Sequence, residues 1–329
     1  LKDQPLWNRD FIAVCFSSFF LFMTFYTLAV TLPVFVIDTL HGSEQQIGLV
    51  MTVFIIAAVL FRPLAGMWLD EFSRKKIVFI SLTLFLACTV LYLGIKSFTI
   101  LLVLRFVHGI AFGIATTATG AIAVDLIPDR RKGEGIGYYS LFMSLAMVIG
   151  PFAGLTIMSH YNSRVLFIAC AIFALLSFLF GMLIRIPEQI RKDNKGKLWD
   201  WKKYIEPSAI PISLSGSVLA FSYGAITTFI SIYAQELGLS SFASYFFVVF
   251  AAMIVIPRPL VGRLFDRLGE HVLVYPGIFL FAIGMIGLSQ AHTAFLFLLT
   301  AGIIGLGYGA LLPASRLSLF SLRRATGEA

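Results

Sequence analysis

The chain has 329 residues, of which 59% are apolar and only 13% charged, with a formal net charge of +8. Soluble domains hold about 45–50% apolar and about 25% charged residues, so a mean hydropathy of +0.91 leaves too little polar surface for a water-soluble fold. The composition excludes a soluble globular protein and specifies an all-α polytopic membrane protein. Cys15, Cys88 and Cys170 all sit inside apolar runs, at spacings that suit neither a disulfide framework nor a zinc site. They read as core residues, and no metal or other cofactor is implied.

Crossing about 30 Å of hydrocarbon takes about 20 helical residues. On that rule ten spans are expected, at 11–37, 46–69, 77–95, 99–122, 135–158, 165–185, 208–234, 241–262, 272–290 and 294–314. The first runs too long for a signal-peptide core and carries no small-residue cleavage pattern, so it is expected to stay as an anchor. With a cytoplasmic N-terminus, 22 of the 25 lysines and arginines fall on the cytoplasmic side, Arg62 and Arg258 among them in the cytoplasmic halves of their spans. Lys96 and Arg164 lie outside, and Arg105 is embedded. The net charge therefore reports topology and attraction to anionic lipid, and a nucleic-acid partner is not needed to explain it.

Arg105 lies six residues into the fourth span, where a charge is costly unless it faces a partner or water. It faces the interior, or it snorkels to the outer headgroups. His108, one turn on, is either a titratable group in the pathway or a packed core histidine. Asp125 ends that span before Asp129-Arg130-Arg131-Lys132, as a gate carboxylate or an ordinary loop charge. No carboxylate is plainly embedded: Asp38, Glu44 and Glu236 fall outside, and Asp70, Asp125 and Asp266 inside. The fifth span ends in Gly150-Pro151-Phe152-Ala153-Gly154, whose small face and proline suit close packing and a bend. A basic hydrophilic stretch from Arg185 to Lys203 separates six spans from the next four.

Sliding the chain against itself by 196 residues matches Phe25 with Phe221, Thr31 with Thr227, Gly42 with Gly238 and Phe54 with Phe250. Arg62-Pro63-Leu64 meets Arg258-Pro259-Leu260, Gly66 meets Gly262, Asp70 meets Asp266, and Gly109 and Gly113 meet Gly305 and Gly309. The repeat divides the chain into a six-helix bundle (1–186), a cytoplasmic basic linker (187–207), a partial second bundle holding helices 7 to 10 (208–314) and an atypical cytoplasmic tail (315–329). Parallel six-helix repeats that rock around a midplane site are a transporter architecture.

The residues resemble the major facilitator superfamily from the first span to about Pro313. Gly66-Met67-Trp68-Leu69-Asp70-Glu71-Phe72-Ser73-Arg74-Lys75-Lys76 is similar to that family's loop motif between helices 2 and 3, with Trp68 and Ser73 departing from the usual leucine and glycine. Gly262-Arg263-Leu264-Phe265-Asp266-Arg267-Leu268-Gly269 is a second copy, followed by Glu270-His271 in place of a basic pair. The resemblance implies a conformational latch at Gly66, Asp70, Arg74, Lys75, Gly262 and Asp266. In physical terms, Gly66 would let helix 2 approach a neighbour, and Asp70 would accept from the N-terminal amides of a facing helix.

Gly150, Pro151 and Gly154 resemble the motif of the drug/proton antiporter branch, where the kinked helix packs against helix 8 and seals the halves. Leu155 stands where a second glycine is common, so the copy is partial. Arg105-Phe106-Val107-His108-Gly109 is similar to the helix-4 motif whose arginine is implicated in proton coupling, which makes Arg105, His108 and Asp125 the coupling candidates. Helices 1, 4, 7 and 10 line the substrate cavity in the resembling family, and here they offer Phe25, Tyr26, Phe112, Tyr223 and Tyr308 with few fixed charges. Such a wall suits lipophilic or delocalised cationic ligands, whereas an anionic sugar phosphate would need several arginines.

The resemblance thus implies a proton-coupled exporter working by alternating access. Its expected partners are a small-molecule substrate, protons and the lipid bilayer, with the chain a monomer in a bacterial cytoplasmic membrane. A metabolite or lipid-linked exporter of the same fold is the alternative, and a transport-impaired membrane protein the third reading. By the repeat, a complete second half would extend to about residue 390, so a fragment or a shifted reading frame near Ala314 is expected, with transport impaired.

Overall fold

A computed structural model of the chain describes residues 6–128, 131–185, 210–257 and 271–325. The basic linker 187–207 and the second loop-motif copy, with Gly262 and Asp266, lie outside the described residues. Within them are ten helices: α1 (Arg9–Asp38), α2 (Glu44–Glu71), α3 (Arg74–Leu91), α4 (Phe98–Leu126), α5 (Lys132–His160), α6 (Ser163–Met182), α7 (Ile210–Glu236), α8 (Ala243–Val255), α9 (His271–Ser289) and α10 (Ala294–Ala325). A 3-10 turn, Tyr92–Gly94, follows α3. α1 to α6 are long and apolar enough to cross a membrane, α5 from Glu134 onward. Shorter apolar stretches run Ser240–Val255, Val274–Ser289 and Ala294–Ala310.

Hydrocarbon offers no partner to a free backbone amide, so helices are the available solution and their ends need polar caps. Asn8 Oδ1 accepts from the Phe11 amide at 2.7 Å, and Asn162 Oδ1 from the Val165 amide at 3.1 Å. Ser43 and Gln46 close a capping box at the start of α2. α5 stays helical through Pro151, and α10 runs past Pro313 to Ala325, into the stretch 315–329 expected as an atypical cytoplasmic tail. Its residues, rich in Leu, Arg and Ala, are good helix formers.

The chain forms two compact units, Leu1–Asp193 and Asn194–Ala329. In the first, α1 is the most buried helix and packs on α5 and α6, while α4 packs on α2 and α3. Small residues set these contacts. Ser17 Oγ donates to Ser177 O and Ser177 Oγ to Ser17 O, both at 2.8 Å, tying α1 to α6. A Cβ on Gly109 would run into Phe54 O, and one on Gly113 into Ala58 O, so α4 and α2 touch backbone to backbone.

The second unit repeats this contact at the shift read from the sequence. A Cβ on Gly305 would run into Phe250 O, and one on Gly309 would meet Ile254 Cα at 3.0 Å. The match fails in the first helix of each unit. α1 ends at Asp38 and α2 begins at Glu44, whereas α7 runs to Glu236 and the next turn begins at Ser240. The loop is two residues shorter, so α7 is displaced by two positions, more than half a helical turn. Tyr223, not Phe221, therefore takes the place of Phe25, and Phe221 is 83% exposed. Nor is Gly42 the counterpart of Gly238 in conformation, because the left-handed residue of the first loop is His41, at φ 51°.

Gly66 also departs from expectation. A Cβ there meets nothing within 4 Å among the described residues, so none of these helices approaches closely at this point. Gly109→Val and Gly305→Val are therefore expected to destabilise their units by about 1–3 kcal/mol, because a backbone carbonyl cannot move aside, while Gly66→Ala stays near wild type. Thermal unfolding in detergent checks the ranking.

Candidate functional site

Two turns into α4, Arg105 is fully buried. Its Nε donates to Val50 O at 3.2 Å, its Nη1 to Tyr92 Oη at 3.5 Å and its Nη2 to Met51 Sδ at 3.5 Å. The guanidinium carbon lies 3.9 Å from the Phe54 ring centroid, a cation–π contact in a desolvated setting. No carboxylate pairs with it among the described residues, where the ion pairs are Arg74 with Asp125 and Arg131 with Glu134. A π face and lone pairs hold the charge. The guanidinium points into its own bundle, so it does not snorkel to the headgroups.

His108 is fully buried one turn along. Its Nδ1 lies 3.1 Å from Tyr92 Oη and its Nε2 3.3 Å from Thr89 Oγ1. Thr89 spends its single hydroxyl proton on Phe85 O at 2.8 Å, so toward His108 it can only accept. Nε2 is then the protonated nitrogen, and Nδ1 accepts from Tyr92. With the ring neutral the donors run in one direction: Arg105 Nη1 to Tyr92, Tyr92 to His108, His108 to Thr89, Thr89 to the α3 backbone. A second proton on Nδ1 would leave Tyr92 Oη facing two donors with nowhere to send its own proton. The sequence reading missed Tyr92, Thr89, Met51 and Phe54. The available signal was Thr89 and Tyr92 three residues apart, hence on one helix face, at the C-terminal end of the third span.

The aromatic candidates divide between the units. Phe25 stacks on Phe112 at 4.9 Å and on Phe54 at 5.5 Å, and Tyr26 meets Phe25 at 5.0 Å. Phe112 is buried at 4% exposure among Phe22, Phe25, Phe54 and Phe85, so it supports the half-buried Phe25 and is not itself an open wall. In the second unit Tyr223 stacks on Tyr308 at 4.9 Å and on Phe250 at 5.7 Å, with Phe281 6.3 Å from Tyr308. The same rosette is built twice, once on Phe112 and once on Tyr308, which the 196-residue shift matches.

At the opposite end of α4, Arg74 of the loop motif forms an ion pair with Asp125, bringing a latch residue and a coupling candidate into one contact. Asp70 and Lys75 are exposed and make no ion pair among the described residues. Gly150 and Gly154 face α1: a Cβ on Gly150 would meet Tyr26 Cβ at 2.9 Å, and one on Gly154 would meet Thr27 and Thr31 Cγ2 at 2.9 Å. Thr27 Oγ1 donates to Gly150 O at 3.0 Å across the same contact. The two glycines thus serve packing within the first unit.

The family model described as Major Facilitator Superfamily matches residues 14–328. The chain belongs to the Major Facilitator Superfamily. Among curated relatives of this facilitator, Quinolone resistance protein NorA of Staphylococcus aureus (strain MRSA252) is 25% identical over 237 residues, covering 69% of the chain and 59% of NorA. Multidrug resistance protein 1 of Bacillus subtilis (strain 168) is 28% identical over 231 residues, covering 69% of the chain and 55% of that protein. The chain thus matches less than two thirds of the length of either relative. Among solved structures, the nucleoside transporter NupG aligns with a TM-score of 0.75 at 13% identity, over 94% of the chain and 82% of NupG. A bacterial homologue of the human lysosomal transporter Spinster aligns with a TM-score of 0.74 at 18% identity, over 95% and 74%. These last two show the facilitator fold alone.

Two variants separate the packing contact from the surface pair. Thr27→Val removes a buried donor from Gly150 O and is expected to lower stability by about 1 kcal/mol. Asp125→Asn breaks a partly exposed ion pair and is expected to cost less than about 1 kcal/mol. Denaturant or thermal midpoints in detergent measure both.

Proposed function

We propose that this facilitator is a proton-coupled efflux antiporter for lipophilic or cationic small molecules, working by alternating access in a bacterial cytoplasmic membrane with a cytoplasmic N-terminus. The observation that carries the reading is the charge pattern. Aromatic rosettes at Phe25, Tyr26, Tyr223 and Tyr308 adjoin no embedded carboxylate, and Arg105 is the one buried permanent charge among the described residues. An aromatic face attracts a delocalised cation and a lipophilic body alike. Two relatives whose names record quinolone and multidrug resistance support the substrate class.

The arginine supplies a reason for exchange. A guanidinium does not release its proton, so Arg105 contributes a fixed positive field. Phe54 holds that charge at 3.9 Å from its ring centre and also stacks with Phe25 at 5.5 Å, so a cation resting on Phe25 lies within its field. In a low-dielectric site two positive charges disfavour each other, which suits alternate occupancy by proton and substrate over joint occupancy. Gly66, Asp70, Arg74 and Lys75, with Gly262 and Asp266 in the second copy, are proposed as the latch, with the Arg74–Asp125 pair among the contacts exchanged between states. Gly150, Pro151 and Gly154 are proposed to limit leak by fixing α5 on α1.

The test is uptake of a lipophilic cationic dye into proteoliposomes holding this chain, with a pH gradient imposed and then collapsed. Gradient-dependent uptake, lost in Arg105→Ala while the protein stays folded, is the outcome expected of an antiporter, whereas no uptake at all would favour the transport-impaired reading. Uptake indifferent to the gradient, or unchanged in the variant, overturns the coupling. Competition by many unrelated lipophilic compounds is expected; competition by one metabolite alone would replace the drug reading with a narrow exporter.

A further inference from the structure

The second unit supplies a comparison internal to the chain. At the 196-residue shift Arg105 matches Ala301, His108 matches Ile304, Tyr92 matches Leu288 and Thr89 matches Met285. On the facing helix the sizes change in the opposite sense, with Phe246 and Phe247 standing where the first unit has Val50 and Met51. Ala301, Ile304, Phe246 and Phe247 are all buried, and Phe246 packs against Phe297 at 5.0 Å. The same scaffold thus closes with an apolar filling. Four polar side chains occur together in one unit and are replaced together in the other, so packing does not require them.

Tyr92 joins the other three. Its ring is fully enclosed and stacks on Phe167 at 5.5 Å, so the hydroxyl is aimed by a fixed body. That hydroxyl lies within hydrogen-bond distance of both Arg105 Nη1 and His108 Nδ1. It has one proton, and the hydrogen-bond order derived above sends it to His108 Nδ1, leaving its lone pairs toward Arg105 Nη1. The groups facing this pair are Thr89 and Cys88 from α3, Cys170 from α6, and the rings of Phe54 and Phe85. No carboxylate is among them in the described residues.

We propose that Tyr92 is a positioning residue of the coupling site: its hydroxyl fixes the Arg105 guanidinium, and His108, held as the neutral Nε2–H tautomer against Thr89, anchors that hydroxyl and does not carry the transported proton. The proposal rests on the reading of Arg105 as the coupling residue. It reassigns His108 from titrating group to support. It also accounts for the joint replacement in the second unit, since without the arginine nothing remains for tyrosine, histidine and threonine to hold.

The experiment has two readouts on the full chain. Nitrogen-15 NMR of labelled histidine, with His108→Gln to assign the signal, reports the tautomer directly. The wild type is expected to show His108 with its proton on Nε2, and Tyr92→Phe, which keeps the ring and its stack, is expected to move the Nδ1 signal. A proton on Nδ1 in the wild type, or a His108 signal unmoved in Tyr92→Phe, overturns the proposal. Should Tyr92→Phe not fold, Thr89→Val removes the acceptor at the other end of the ring and must move the Nε2 signal instead, an unmoved signal again overturning it.

The second readout is dye transport, where Tyr92→Phe is expected to lower the gradient-driven maximal rate by about tenfold with little change in KM. A change in KM alone would make Tyr92 a substrate contact and overturn its positioning role. If the wild type shows no gradient response, the antiport reading fails, and Tyr92 as a residue of a coupling site fails with it. In that case the spectrum still tells whether the hydrogen-bond order itself is correct.

Discussion

The backbone contact between α4 and α2 at Gly109 and Gly113 is the constraint from which the rest of the first unit follows. With no side chain on α4 at these two positions, the α2 carbonyls of Phe54 and Ala58 come within reach of its backbone. The approach puts Phe54 under the guanidinium of Arg105, one turn away, and brings Val50 O and Met51 Sδ to its other donors. Phe54 in turn stacks on Phe25 and touches Phe112, so the aromatic rosette and the buried charge share one ring. In membranes, where apolar side chains gain little by leaving lipid for one another, small residues that admit close contact have this kind of authority over geometry.

A buried charge in a bilayer protein usually draws a counter-charge, and Arg105 has none among the described residues. The cost of desolvation is instead spread over a π face, a carbonyl, a thioether and a phenol, each a weak partner. This leaves the site with net positive character, which the proposed exchange would use and which is expensive as a mere structural element. The second unit shows the cheaper version of the same fold, with Ala301, Ile304, Phe246 and Phe247 filling the space without any polar atom to satisfy.

Much of the fold was legible in the sequence because it rests on local rules. Apolar runs of span length, polar caps and loop charges are one-dimensional signals, and the helices follow them closely. Gly109, Gly113, Gly305 and Gly309 were legible too, since a repeat that preserves glycines marks where backbones meet. Phe221 was misread for the same reason that the repeat was found: an ungapped shift cannot register that the loop after α7 is two residues shorter, and that loss moves every α7 side chain around its helix. Gly66 was credited with a close approach on the strength of a motif, and its surroundings among the described residues are open. Arg105 was visible as a charge in an apolar run, but its seat was not, because Met51 and Phe54 come from α2, Thr89 from α3 and Tyr92 from the turn after it.

By itself the sequence determined that this chain lives in a bilayer, that it is built from helices in two related sets, and that one arginine is embedded where charge is costly. Length, hydropathy and periodicity decide those matters, and each is summed along the chain. The tertiary structure alone decided which groups share the charge of Arg105, that the two nitrogens of His108 face Tyr92 and Thr89, and that Gly150 and Gly154 are committed to α1. Those depend on directions and distances of a few ångströms between residues far apart in the chain, set by how helices cross, and no spacing in the sequence encodes them.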